Sequence, residues 1–311
     1  MSKIIIGIHG LANKPPKETI ESWWKQSLVE GLQKNCDYKD TDFDFKLVYW
    51  ADLLHKYSLH NDQDFDFDEL YNKQPYVEAK PGELKTYSEG KLSELRTLSF
   101  GALGNFIDLM NQDFGVSLAA SLFIHRVFRD LDFYYSNNRQ IRNRTGKHEL
   151  ARKVLRDELK NVLRQESNKE IMLIAHSMGS IISYDVLRDL GRSDPEMEIP
   201  HYVTIGSPLG LPTVKTKIIE ERDYDARVRT PSLVTKTWVN YADKRDPVAT
   251  DTHLADDYKA NRKGIQVFDD LIMNDYELPH EPGKVNAHKS YGYLRTPELS
   301  NHVKSFLTGG I

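Results

Sequence analysis

A single cysteine, Cys36, stands in the 311 residues of the chain. It has no partner for an internal disulfide and no companions for a thiolate-rich zinc cluster, so neither is expected, and a reducing, cytoplasmic compartment fits best. Charge of one sign is also lacking: 42 Lys and Arg against 46 Asp and Glu leave a formal charge of −4. A strongly basic face is therefore not expected, and nucleic acid drops out as a partner. Long apolar runs are missing as well. The longest charge-free stretch in the apolar middle, Phe114 to His125, is shorter than the ~18–20 residues a membrane-spanning helix needs. The start, Met1-Ser2-Lys3 before Ile4-Ile5-Ile6-Gly7-Ile8, shows no basic segment, extended apolar stretch and cleavage site of a signal peptide.

What is present is an alternation of strand and helix patterns. Ile4 to Ile8 reads as a strand. Ile20, Trp23, Trp24, Leu28 and Leu32 recur at helical spacing and predict a helix from about Thr19 to Lys34, and Phe43, Phe45, Leu47 and Tyr49 alternate at period two. From Lys147 the pattern resumes with a helix bearing Leu150, Val154, Leu155, Leu159 and Leu163 on one face. Ile171 to Ala175 is a continuous apolar run of the kind buried on both faces of a parallel sheet. A helix follows at once, then strands at Tyr202–Gly206 and Thr237–Tyr241 and a last one at Gly264–Phe268. Thr296-Pro297-Glu298 opens a closing helix. This is an α/β pattern with a mainly parallel sheet of about six strands. It is interrupted between Ala51 and Thr145, so residues 1–50 and 146–311 form the expected core, and residues 51–145 a mostly helical inserted cap.

The sharpest local signal is Ala175-His176-Ser177-Met178-Gly179, between the best strand and the next helix. It fits the nucleophile elbow G-x-S-x-G with Ala for the first Gly, where small flanking residues make room for a strained turn. A serine hydroxyl needs a base to take its proton. His288 lies in a loop far downstream, before the closing helix, and is the favoured base, with His280 and His253 as competitors. His176 is expected to point away from Ser177, and His9, at the end of the first strand, to serve another use. The third member should hold the imidazole in its working tautomer. Asp246, in the loop after the Thr237–Tyr241 strand, is favoured and Asp243 is its rival. The backbone N–H groups of Met178 and Leu11 are the candidate oxyanion donors, with Gly10 allowing a tight turn before Leu11.

These residues resemble the α/β-hydrolase superfamily, nearest its bacterial lipase-like and GPI inositol-deacylase-like branches. The resemblance rests on Ile5-Ile6-Gly7-Ile8-His9-Gly10-Leu11, the 175–179 elbow, Gly206-Ser207-Pro208-Leu209, Asp246-Pro247-Val248 and the His288 loop. It implies an oxyanion donor, nucleophile, substrate-flanking loop, acid and base in those segments, and a sheet that lacks the family's first two strands. The implied activity is a serine hydrolase cleaving a carboxylic ester of a small molecule or acyl lipid. An acyltransferase or amidase with the same machinery, and a non-catalytic binding protein on the same scaffold, are the alternatives.

The apolar region Leu92 to Phe133 has three open uses: cap helices lining an acyl pocket, the insertion's own core, or a peripheral membrane or dimer contact. Asp251, His253, Asp256 and Asp257 resemble a metal cluster only in composition. Gly101-Ala102-Leu103-Gly104 lacks the strand and Lys of a phosphate loop, and no cofactor is expected.

Overall fold

A computed structural model describes residues 2–59, 75–80, 131–221, 228–278 and 281–310. Strand β1 (Lys3–Ile8) leads through helix α1 (Lys17–Cys36) to β2 (Asp44–Val48) and one helical turn, α2 (Ala51–Leu54). Two three-residue strands, β3 (Gln140–Arg142) and β4 (His148–Leu150), form a hairpin before α3 (Ala151–Gln165). There follow β5 (Glu170–His176), α4 (Met178–Ser193), β6 (Ile199–Ile205), α5 (Pro212–Glu220), β7 (Val234–Ala242) and β8 (Val267–Leu271). A second hairpin, β9 (Glu277–Leu278) and β10 (Glu281–Val285), precedes α6 (Ser290–Leu294) and α7 (Pro297–Thr308).

Six strands form one sheet in the order β2-β1-β5-β6-β7-β8, with every neighbouring pair parallel. Such a sheet needs both faces covered. Side chains alternate accordingly: Ile4, Ile6, Ile8, Leu173 and Ala175 pack with α3, α4 and α5, while Ile5, Met172 and Ile174 pack with α1, α6 and α7. On the second face, Ile20, Trp24, Leu28 and Leu32 of α1 form the docking stripe. Gly7 of β1 is small because a Cβ there would lie 2.8 Å from the Trp24 ring.

Two of the boundaries that differ from the expected ones have a local cause. The helix predicted from Lys147 starts at Ala151, because Gly146 at φ 84° closes a hairpin turn and His148–Leu150 pair back on Gln140–Arg142. Strand β3 of that hairpin lies within residues 51–145. The last strand lies at Val267–Leu271 rather than Gly264–Phe268, since Gly264 sits at φ 80° in a turn closed by Asn261. Residues 92–130 of the expected apolar region lie outside the described residues.

The described parts of the 51–145 segment are tied to opposite faces of the sheet. Residues 75–80 lie along the α1 side, where the Tyr276 hydroxyl donates to the Pro75 carbonyl at 2.7 Å and Arg295 to the Val77 carbonyl at 2.7 Å. The helical residues 131–135 join the other face. There the Tyr134 and Tyr135 hydroxyls donate to Asp185 at 3.0 and 3.3 Å, and Arg156 pairs with Asp185 at 2.7 Å. Among the described residues no helix is long and apolar enough to cross a membrane.

Glu30 of α1 is the buried anion of the first anchor. Its carboxylate receives Lys34 at 2.7 Å, the Ala79 N–H at 2.7 Å, Arg295 at 3.1 Å and the Tyr76 hydroxyl. Burial pushes its pKa up, and the bonds from Lys34 and Tyr76, the Arg295 charge and the Ala79 N–H outweigh it, leaving the carboxyl below its ordinary value. A carboxylate depressed in the folded state stabilises above its unfolded pKa, and that contribution disappears as pH falls through the folded value. Glu30→Gln strands the buried Arg295 charge and should destabilise by about 3–5 kcal/mol in urea unfolding at pH 7. The gap between wild type and variant should close as the pH is taken below the carboxylate range.

Candidate active site

Parallel strands end together, and the carboxyl ends of β1, β5, β6 and β7 form one rim. At the end of β5 the chain reverses sharply into α4, and Ser177 takes φ 54° and ψ −128°, a conformation few non-glycine residues hold. The turn is clamped by the Ser177 N–H on the Ile205 carbonyl at 3.1 Å and the Ser180 N–H on the Ser177 carbonyl at 2.8 Å. A Cβ on Gly179 would sit 2.7 Å from the carbonyl oxygens of both Ile8 and His9, so only glycine lets α4 start against the end of β1.

Gly10 has a different reason from the one expected. Its φ is not left-handed; Ala12 takes that conformation at φ 67°. A Cβ on Gly10 would lie 2.7 Å from Ser177 Cβ, so the glycine lets the loop after β1 pass directly over the serine. His9 finds its use here. Its Nε2 accepts the Trp50 N–H at 3.1 Å, which leaves the proton on Nδ1, and Nδ1 donates to the Gly10 carbonyl at 2.7 Å. Burial, then the Lys14 charge, bring its pKa down to about 3, so it stays neutral. Holding the Gly10 carbonyl fixes the peptide plane and hence the direction of the Leu11 N–H. Among the described residues neither the Leu11 nor the Met178 N–H has a backbone acceptor.

His288 reaches this rim from the loop between β10 and α6. Its Nε2 is 3.1 Å from Ser177 Oγ and its Nδ1 is 2.9 Å from Asp246 Oδ2. An ionised carboxylate only accepts, so Nδ1 carries the proton and Nε2 presents a lone pair to the serine hydroxyl. Asp246 Oδ1 accepts the Val248 N–H at 2.8 Å and Oδ2 also accepts the Tyr293 hydroxyl at 2.7 Å. Asp243 is occupied elsewhere: its carboxylate takes Arg245 through Nη2 at 2.6 Å and the Asn274 N–H at 2.7 Å. Of the other histidines, His253 Nδ1 lies 3.0 Å from Thr252 Oγ1, and His280 lies outside the described residues.

A family model described as alpha/beta hydrolase of unknown function (DUF900) matches residues 135–225, the stretch that holds β5, the Ser177 turn, α4 and β6. The matched stretch and the helix-flanked parallel sheet give the chain an α/β-hydrolase fold. No curated protein matches it. Among the described residues of this hydrolase scaffold no cluster of three or more His, Cys, Asp or Glu side chains could hold a metal ion.

Several residues at the rim carry no local motif. His176 does not simply point away: its Nε2–H donates to the His288 carbonyl at 2.9 Å, and its ring centroid is 4.7 Å from that of His288. Burial and the neighbouring His288 push its pKa well down, so it remains a neutral donor. Asn274 Nδ2 donates to the Ala287 and Lys289 carbonyls at 2.7 and 2.9 Å. Three successive carbonyls of the His288 loop are therefore held by two buried side chains. Gly206, placed by resemblance in a substrate-flanking loop, abuts Asp246 and His288: at φ 53°, its Cβ would lie 2.8 Å from Asp246 Oδ2 and 3.2 Å from His288 Nδ1. Ser207 turns inward to Ser180 at 2.7 Å. A glycine just past a strand is the one signal in sequence that marks position 206; nothing marks Asn274.

An imidazole N–H held by a carboxylate resonates far downfield in proton NMR. That signal should be present in the wild type, vanish in Asp246→Asn and in His288→Ala, and persist in Asp243→Asn.

Proposed function

We propose that this protein is a serine hydrolase that cleaves a carboxylic ester through an acyl-enzyme. The observation that carries the reading is the single imidazole lying within hydrogen-bond distance of both Ser177 Oγ and Asp246 Oδ2. In this reading His288 Nε2 takes the Ser177 proton as Oγ attacks the ester carbonyl, and Asp246 stabilises the imidazolium. The Met178 and Leu11 N–H groups meet the oxyanion, a contribution typically worth about 10²–10³ in rate per donor. Collapse of the tetrahedral intermediate expels the alcohol, which takes the proton back from Nε2. Water, activated by the same imidazole, then releases the carboxylic acid and regenerates the serine.

The rest of the reading follows from the scaffold. Residues 1–50 and 146–311 form the catalytic core, and residues 51–145 are an insertion between its second and third sheet strands. Because acyl selection needs apolar surface beyond the rim, the insertion is the segment we assign to it. The substrate is a small ester or an acyl lipid, and the single cysteine accords with a cytoplasmic setting.

A fluorophosphonate should add once to the intact protein, at Ser177. Ser177→Ala should abolish the adduct and lower nitrophenyl-ester turnover by about 10⁴–10⁶-fold, with the residue supplied by binding and the oxyanion donors. A folded wild type that forms no adduct contradicts the reading. In a chain-length series, preference for long acyl esters supports the lipid branch and preference for short ones rules it out.

A further inference from the structure

The acid of the site is shared. Asp246 Oδ2 receives the His288 imidazole at 2.9 Å and the Tyr293 hydroxyl at 2.7 Å. The phenol has no freedom to turn away, because its oxygen already accepts the Asp243 N–H at 3.1 Å, which leaves its own proton for Asp246. Tyr293 is fully buried. Its ring edge fits against Gly206, where a Cβ would come within 3.2 Å of Cε2, and its ring centroid lies 6.4 Å from that of His176. Its backbone carbonyl is held by Thr296 through both N–H, at 3.2 Å, and Oγ1, at 2.9 Å. Base and phenol also ride on one short segment, since α6 begins two residues after His288.

We propose that Tyr293 is a positioning residue that acts through Asp246, orienting Oδ2 toward His288 and withdrawing charge from it, so that the imidazole is less basic than an unshared carboxylate would make it. The proposal rests on the hydrolase reading and deepens it. A donor to a carboxylate favours its charged form and weakens its pull on other protons. Oδ1 is fixed separately by the Val248 N–H, so the hydroxyl of Tyr293 governs only the oxygen that faces the base. Burial, then the charges of Asp246 and Asp243, push the Tyr293 pKa well up, which keeps it a donor at every working pH.

The other titratable and charged groups at this rim come from several elements. Asp243 and Arg245 lie on the loop after β7, His176 at the end of β5, Lys14 on the loop after β1, and Lys289 beside the base. All are retained when only the hydroxyl of Tyr293 is removed.

The test is Tyr293→Phe, which keeps the ring and its packing. In the pH profile of kcat/KM on a nitrophenyl ester, the acid limb should move to higher pH by roughly half a unit or more, and kcat should fall about tenfold with KM little changed. Nitrogen NMR titration of His288 should shift in the same direction, a readout that needs no turnover. Site-specific fluorotyrosine at 293, a stronger donor, should move both readouts to lower pH, and it serves if the phenylalanine variant fails to fold. Unchanged profiles and titrations in both variants overturn the proposal and leave Tyr293 a packing residue. Failure of the hydrolase reading looks different: the wild type then takes no fluorophosphonate, while the His288 titration still reports on Tyr293.

Discussion

The close approach of α4 to the end of β1 sets the geometry on which everything at the rim depends. Gly179 lies against the carbonyls of Ile8 and His9, and Gly10 lies against Ser177. The strained turn at Ser177 costs on the order of 1–3 kcal/mol and persists only where surrounding contacts over-determine it. Here β5 is held on both sides, by β1 through Ile8 beside Ala175 and by β6 through Ile205 beside His176, and the first turn of α4 is pressed onto the strand ends. The apolar layers on the two faces supply the free energy that keeps this turn in place, because hydrophobic burial is the dominant favourable term in folding. Sheet packing thus fixes the direction of one hydroxyl.

The second layer of control is polar and largely neutral. His9 and His176 are both buried with lowered pKa values, and each spends its N–H on a backbone carbonyl, Gly10 in one case and His288 in the other. A charged imidazole at either place would repel an imidazolium at His288. Asn274 and Tyr293 complete the set, one gripping the His288 loop and the other the Asp246 carboxylate. Asp243 supports this arrangement indirectly, since it holds the Asn274 N–H and balances Arg245. Buried polar networks of this kind rigidify when every member is satisfied.

How much of this was legible in sequence depended on whether the feature is local. The Ile171–Ala175 run and the small residues around Ser177 are local, and strand, turn and helix could be read from them directly. Strand β4 was invisible, because three residues carry no measurable period and the hairpin depends on Gly146. The order Ser177, Asp246, His288 follows from the fold's chain order, while the separation of Asp246 from Asp243 does not: three positions apart in one loop, they differ only in what the fold brings to each. Arg245 and Asn274 occupy one, His288 and Tyr293 the other. Asn274 and Tyr293 were unreadable for the same reason, since their partners lie on loops joined only in three dimensions. Gly10 and Gly206 could be flagged as glycines, but the contact that excludes a side chain could not be named.

In the proposed reaction one imidazole, one hydroxyl and two backbone N–H groups converge on a single reacting carbon. A crystal structure of the phosphonylated protein tests this most directly. Phosphorus should sit on Ser177 Oγ, with a phosphoryl oxygen about 3 Å from both the Met178 and Leu11 N–H groups and His288 still against Asp246. Phosphorus on another side chain, or a phosphoryl oxygen turned away from both N–H groups with His288 swung off Asp246, contradicts it.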